Sequence, residues 1–278
     1  METELGLAPL GFLELEPPEL ITIAAAAGFS SVGIRARAVA PGGIEHPLLL
    51  GSPMERETRA RLASTGLSIL QLEIVSLKRD LDVPGCRPLF DTAASLGVGR
   101  LVVSGDDRDF SVMVERLAQL CELAYEYRVL IDVEFMPYRP LNSLVSALRL
   151  VERAGQQNAF VMLDALHLQR SGGTVTEVQA TPKDAIGVFQ ICDAPLAPPS
   201  SDLLIQEARE GRRLPGEGEL PLANLLAAIG PSVHLAAEVP LGPRYADIPA
   251  IERLKAINAA TRNLIETLEN TSVAFPST

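Results

Sequence analysis

The stretch "IGVFQICDAP", residues 186–195, decides how the chain is read. Its apolar, β-branched and aromatic residues are those of a buried strand, yet Gln190 and Asp193 bring hydrogen-bonding groups to its C-terminal end. Burying such groups without partners is costly, so a task is expected of them. The same construction recurs in "VLIDVEFM" (129–136), "FVMLDALH" (160–167) and "HLAAEVP" (234–240), where Glu134, Asp164 and Glu238 interrupt the apolar run late.

Working outward, the runs "LGLAPLGF" (5–12), "SVGIRA" (31–36), "SILQLEI" (68–74) and "RLVVSG" (100–105) bring the strand candidates to eight. Amphipathic segments alternate with them. A first helix opens at Pro17 and Pro18 and closes at Gly28; others are expected at about 53–65, 84–97, 109–127, 141–155 and 248–269, with 171–184 a short helix at best. Eight strands, most followed by a helix, predict an α/β chain of the (β/α)8 barrel class, one domain over residues 1–278 with a loop insertion at 193–218 after strand seven. Neither GxGxxG nor GxxxxGK follows the first strand, so a nucleotide-binding sheet is not expected.

Composition narrows the partners. A formal charge of −11 over 278 residues sets an unfavourable field for nucleic acid, and 4% aromatics offer little base-stacking surface. No run reaches the roughly 18 apolar residues of a membrane span. The acidic opening "METELGLAPLGFLELEPPEL" lacks the basic region of a leader, so a cytoplasmic protein is expected, free of membrane. Cys86, Cys121 and Cys192 are too few for a disulfide framework or thiolate cage.

In such a barrel the chemistry sits at the C-terminal strand ends, where Glu134, Asp164, Gln190 and Glu238 would converge. Glu134 and Asp164 are 30 residues apart and Asp164 and Gln190 are 26 apart, single β/α repeats; the 48 residues from Gln190 to Glu238 include the insertion. Three carboxylates at one point repel one another unless a cation holds them. With oxygen donors only, the expected ion is Mn²⁺ or Mg²⁺, with Co²⁺ next and Zn²⁺ less favoured. An ion chelated by adjacent hydroxyl and carbonyl oxygens eases proton removal beside the carbonyl, which suits a small polyhydroxy or cyclic hydroxy-acid substrate.

Around this core stand Arg35 and Glu73, late in strands two and three, expected as a mouth ion pair or substrate contacts, and Asp193, expected to touch substrate. "GRRLPGEGEL" (211–220) offers Arg212 and Arg213 on a rim loop for a carboxylate or phosphate. Asp132 and His234 lie deeper on the same faces as Glu134 and Glu238, where a buried polar network is expected. His167 follows Asp164 by three residues and has a side chain able to exchange protons near neutrality.

The segments "AAAAGFSSVGIRA", "VEFMP", "MLDALH", "FQICDAP", "GRRLPGEGELPL" and "AEVP", in this order along nearly the whole chain, resemble the xylose isomerase-like barrels, which include sugar-phosphate isomerases and epimerases and inosose and 3-dehydroshikimate dehydratases. The resemblance implies that Glu134, Asp164, Gln190 and Glu238 hold the metal, with Gln190 where many members carry histidine. It also implies that Glu134 and Glu238 act as catalytic acid and base, that His167 is catalytic, and that Arg213 is the better of the two arginines. The family's nucleases bind three zinc ions through several histidines, and this chain has only His46, His167 and His234.

The leading expectation is a metal-dependent isomerase or epimerase of a sugar or sugar phosphate. Loss of a β-hydroxyl from the same intermediate gives the alternative, a dehydratase of the 3-dehydroshikimate type. A non-catalytic barrel that binds a polyol is the reading from another class. The sequence leaves homo-oligomerisation open.

Overall fold

The eight apolar runs become eight parallel strands of one closed barrel, ordered as in the chain. The structure is a computed structural model that describes residues 3–39, 42–230 and 232–274. In chain order the elements are β1 (Leu5–Leu7), α1 (Pro17–Ala26), β2 (Ser31–Arg35), α2 (Pro53–Thr65), β3 (Ser68–Leu77), α3 (Arg87–Leu96), β4 (Arg100–Gly105), α4 (Phe110–Glu126) and β5 (Leu130–Glu134). There follow α5 (Leu144–Ala154), β6 (Ala159–Asp164), α6 (Ala165–Arg170), α7 (Val175–Ala180), β7 (Ile186–Ile191), α8 (Leu204–Glu210), α9 (Leu222–Ala228), β8 (His234–Ala237) and α10 (Ala250–Ala274). Residues Leu5 to Leu7 of β1 pair with Leu235 to Ala237 of β8 and close the ring.

Local chemistry sets the ends. Ser52 caps α2 by accepting from the Glu55 N–H, and Asp109 caps α4 by accepting from the Ser111 N–H. Leu117, Leu120 and Ala124 of α4 and Leu254 and Ile257 of α10 are fully buried, which is how each helix is held on the sheet. No helix among the described residues is long and apolar enough to cross a membrane.

Two expectations are corrected. Strand six stops at Asp164 rather than 167, because the Asp164 carboxylate accepts from the His167 N–H and starts α6 at once. The segment 193–218 is not simply a loop: a short 3-10 turn (Ser201–Leu203) leads into α8. Proline-rich flanks hide that helix in the sequence.

The register carries the main consequence for the site. Glu134 pairs with Met162, Asp164 with Gln190, and Gln190 with Ala236. Side chains alternate with a period of two, so Asp164, two beyond Met162, shares the face of Glu134, and Glu238, two beyond Ala236, shares the face of Gln190. Beneath them Val102, Met162, Val188 and Ala236 form a buried apolar layer inside the barrel. On the next level down, Arg100 donates to both Asp132 oxygens at 2.7 and 2.6 Å, and His234 feels both charges. Arg100 and Asp132 make the buried part of the polar network expected under the site; His234, at the exposed start of β8, is not buried with them. A Cβ at Gly187 would collide with the Arg100 guanidinium and the Asp132 carboxylate, so glycine there makes room for the pair.

Candidate active site

Glu134, Asp164, Gln190 and Glu238, all buried, meet at the C-terminal mouth of the barrel. The Gln190 amide nitrogen donates to Glu238 Oε1 at 3.2 Å, while its oxygen has no partner. One turn into α6, His167 sets its Nε2 3.7 Å from Glu134 Oε1, and its Nδ1 is also unpartnered. The Tyr138 ring, from the loop after β5, stands edge-on to the imidazole with centroids 5.7 Å apart.

The residue that dominates this mouth is Arg212, with no exposed surface. Its Nη1 donates to Asp164 Oδ2 at 2.5 Å, its Nη2 lies 2.9 Å from Glu238 Oε2, and its Nε donates to the Ala208 carbonyl at 2.9 Å. The Nη2 contact is an ion pair without hydrogen-bond alignment, since that nitrogen lacks a bonded acceptor. The neighbouring Arg213 points elsewhere and donates to the Glu217 carbonyl at 3.1 Å. The choice of Arg213 over Arg212 is therefore corrected. The Arg213 backbone is bridged to Asp193 in both directions, at 2.8 and 3.0 Å, and that pairing hands the inward position to the residue before it.

Asp193 is corrected as well. Its carboxylate does not line the cavity; it accepts from the backbone N–H groups of Ala194, Gly216 and Leu220 at 2.9, 2.9 and 3.0 Å. It braces the loop that presents Arg212. A Cβ at Gly218 would strike this carboxylate.

Arg35 and Glu73 do form the expected ion pair at the mouth, with Arg35 Nη2 3.1 Å from Glu73 Oε2, and Gln71 donates to the other oxygen at 2.8 Å. They line a cavity of about 360 Å³ together with Glu134, His167, Arg212 and Glu238. Tyr138, Arg139 and Arg209 line it too and were missed in the sequence. The first two lie just past the Glu134 strand end in "VEFMPYRP", a signal available to the strand-end argument; Arg209 lies in the unforeseen α8.

Burial shapes the electrostatics. It raises Glu134 well above the ordinary carboxylate range, and the charges of Glu238 and Asp164 add to the shift. Glu238 is pushed up to about 8, mainly by burial against the opposing pull of Arg212. Asp164 is as buried, yet Arg212 and His167 hold it below its ordinary value. Burial lowers His167 to about 4, so the imidazole is neutral at pH 7 and its approach to Glu134 is not an ion pair. The expectation that His167 titrates near neutrality is not met.

Whether these residues suit a metal can be judged on donor chemistry. Three buried carboxylates and an amide oxygen without a partner are the donors a hard divalent cation takes. Among the described residues, no three His, Cys, Asp or Glu side chains stand as a closed ligand group, and Arg212 supplies positive charge to Asp164 and Glu238. The fit is thus one of donor type and shared location.

Comparison with known proteins agrees with the geometry. A family model described as xylose isomerase-like TIM barrel matches residues 21–246. A 3-dehydroshikimate dehydratase of Pseudomonas aeruginosa is 29% identical over 230 residues, which cover 76% of this chain and 34% of that protein. An inosose isomerase of Halalkalibacterium halodurans is 26% identical over 166 residues, 57% of each chain. The crystal structure of the IolI protein with a bound zinc atom superposes with a TM-score of 0.79 at 20% identity, over 96% of this chain and 99% of that one. The chain spans about a third of the length of the dehydratase it matches.

Proposed function

We propose a function on the premise that the chain belongs to the xylose isomerase-like TIM barrel family: it is a divalent-metal-dependent enzyme that moves a proton beside the carbonyl of a small hydroxylated substrate and expels a β-hydroxyl, a dehydratase. The single observation that carries this reading is the set of four inward residues, Glu134, Asp164, Gln190 and Glu238, on one rim with an unpartnered amide oxygen. These four would hold the ion. When bound, it supplies polarisation of the substrate carbonyl and charge stabilisation beside it.

The remaining work falls to the chain's own side chains. Glu134 and Glu238 prefer the protonated form in their buried setting, so either is suited to hold a proton at a carboxyl oxygen and exchange it with the substrate carbon or a departing hydroxyl. Arg212 fixes the Asp164 and Glu238 carboxylates. His167, neutral and lining the cavity, offers a hydrogen bond to a substrate hydroxyl. Tyr138 packs edge-on to that ring and orients it, above a buried apolar layer.

Support for dehydration over isomerisation comes from the relatives: the two 3-dehydroshikimate dehydratases align over 76% of the chain. The inosose isomerase match favours the second reading, isomerisation of a cyclic polyol by the same proton transfer. The zinc in the IolI structure is in keeping with a divalent ion in this family. The test is spectrophotometric. Protein supplied with Mn²⁺ and 3-dehydroshikimate should generate the ultraviolet band of protocatechuate; no band, with turnover of an inosose instead, would transfer the assignment to the isomerase reading.

A further inference from the structure

Resting on that chemistry of the same site, we infer that Arg209 is a specificity-determining residue that binds a carboxylate of the substrate, so that the cavity selects singly charged anions over neutral polyols. Four arginines line the cavity: Arg35, Arg139, Arg209 and Arg212. Three are matched within the protein, Arg35 by Glu73, Arg139 by Asp106 at 2.7 Å, and Arg212 by Asp164 and Glu238. Arg209 has no carboxylate partner among the described residues, although the chain carries a net charge of −11. The guanidinium of Arg209 is thus the one of these four left without a carboxylate partner among the described residues, and a single carboxylate is its complement, met by a planar pair of N–H donors.

The backbone that carries Arg209 is fixed. Arg170, at the end of α6, grips Glu207 through both its oxygens at 2.8 and 2.7 Å and donates to the carbonyls of Pro195 and Leu196 at 2.7 and 3.1 Å. Next to it, the Ala208 carbonyl accepts from Arg212. The two residues before Arg209 are therefore tied to the helix of His167 and to the site arginine, while the Arg209 side chain is exposed and free to close on a ligand.

The experiment uses two non-reacting probes of one shape, 3,4-dihydroxybenzoate and its neutral amide, titrated calorimetrically into the Mn²⁺-supplied full chain at low salt. Wild-type protein should bind the acid about tenfold more tightly than the amide. Arg209→Ala should abolish that preference and leave amide affinity and melting temperature unchanged, and Arg209→Lys should keep part of it. Equal binding of the two probes by wild type, binding of neither, or a preference that survives Arg209→Ala would overturn the inference. Because neither probe turns over, a chain that prefers the acid but does not dehydrate 3-dehydroshikimate would sink the dehydratase reading and leave this one standing.

Discussion

Arg212 and Asp164 form a salt bridge of 2.5 Å in which neither side chain has any exposed surface, and the same guanidinium reaches Glu238 at 2.9 Å. Burial pushes the carboxylates at this mouth towards the protonated form, and this arginine opposes it most strongly at Asp164. Asp164, under its direct influence, stays charged; Glu238, more weakly engaged, is pushed up to about 8.

Removing that arginine should therefore be expensive. Arg212→Met leaves two buried carboxylates without their cation, and a loss of about 3–5 kcal/mol in urea unfolding is expected, together with loss of activity. Lysine cannot span both acids from a planar fork and should restore little. Arg213→Ala, at its half-buried neighbour, removes only the bond to the Glu217 carbonyl and should cost no more than about 1 kcal/mol. Equal effects at the two positions would contradict the geometry.

Stability should depend on pH with a definite sign. Glu238 protonates at about 8 in the folded chain against an ordinary 4.5, so the native state holds more protons than the unfolded one between those values and stability falls as pH rises. His167, lowered to about 4 from 6.5, acts the opposite way below 6.5. From pH 6.5 to 8, chelator-treated protein should lose stability at up to about 1.4 kcal/mol per pH unit for each such carboxyl. Glu238→Gln should flatten the slope, and saturating Mn²⁺ should do the same by favouring the ionised carboxylates. A rising or level curve in metal-free wild-type protein would refute the protonation pattern.

Asp193 separates bracing from binding. Asp193→Ala takes the acceptor from three backbone N–H groups and should cost about 2–3 kcal/mol, with activity falling because Arg212 is no longer presented inward. A substrate contact would instead raise KM and leave the denaturation midpoint where it was.

Gly187→Ala probes the floor of the site. The added methyl meets both members of the buried Arg100 and Asp132 pair, so a loss of about 3 kcal/mol or more is expected, read as a drop in melting temperature. An alanine variant as stable as wild type would show that the barrel interior is looser than described.

What the sequence discloses and what it hides follow from one rule of geometry. Within strands the two-residue period ties facing to position, so Glu134, Asp164, Gln190 and Glu238 were readable as one inward set, and the barrel with them. Outside strands no period holds. Whether Arg212 or Arg213 faces inward depends on a backbone bridge to Asp193, twenty residues away in the chain, which no local pattern announces. Asp164 reads in the sequence as a metal ligand alone, though it also caps α6 and so ends its strand early. Helix α8, and Arg209 with it, was concealed because the prolines of "DAPLAPPSSD" speak for a loop right up to its first turn.

The central claim, that the four inward side chains take up one divalent ion, is tested most directly by titrating chelator-stripped protein with Mn²⁺ in a calorimeter. The account predicts one ion per chain, with Asp164→Asn and Gln190→Leu each weakening uptake at least about tenfold. No uptake by wild-type protein, or uptake indifferent to both substitutions, would contradict it.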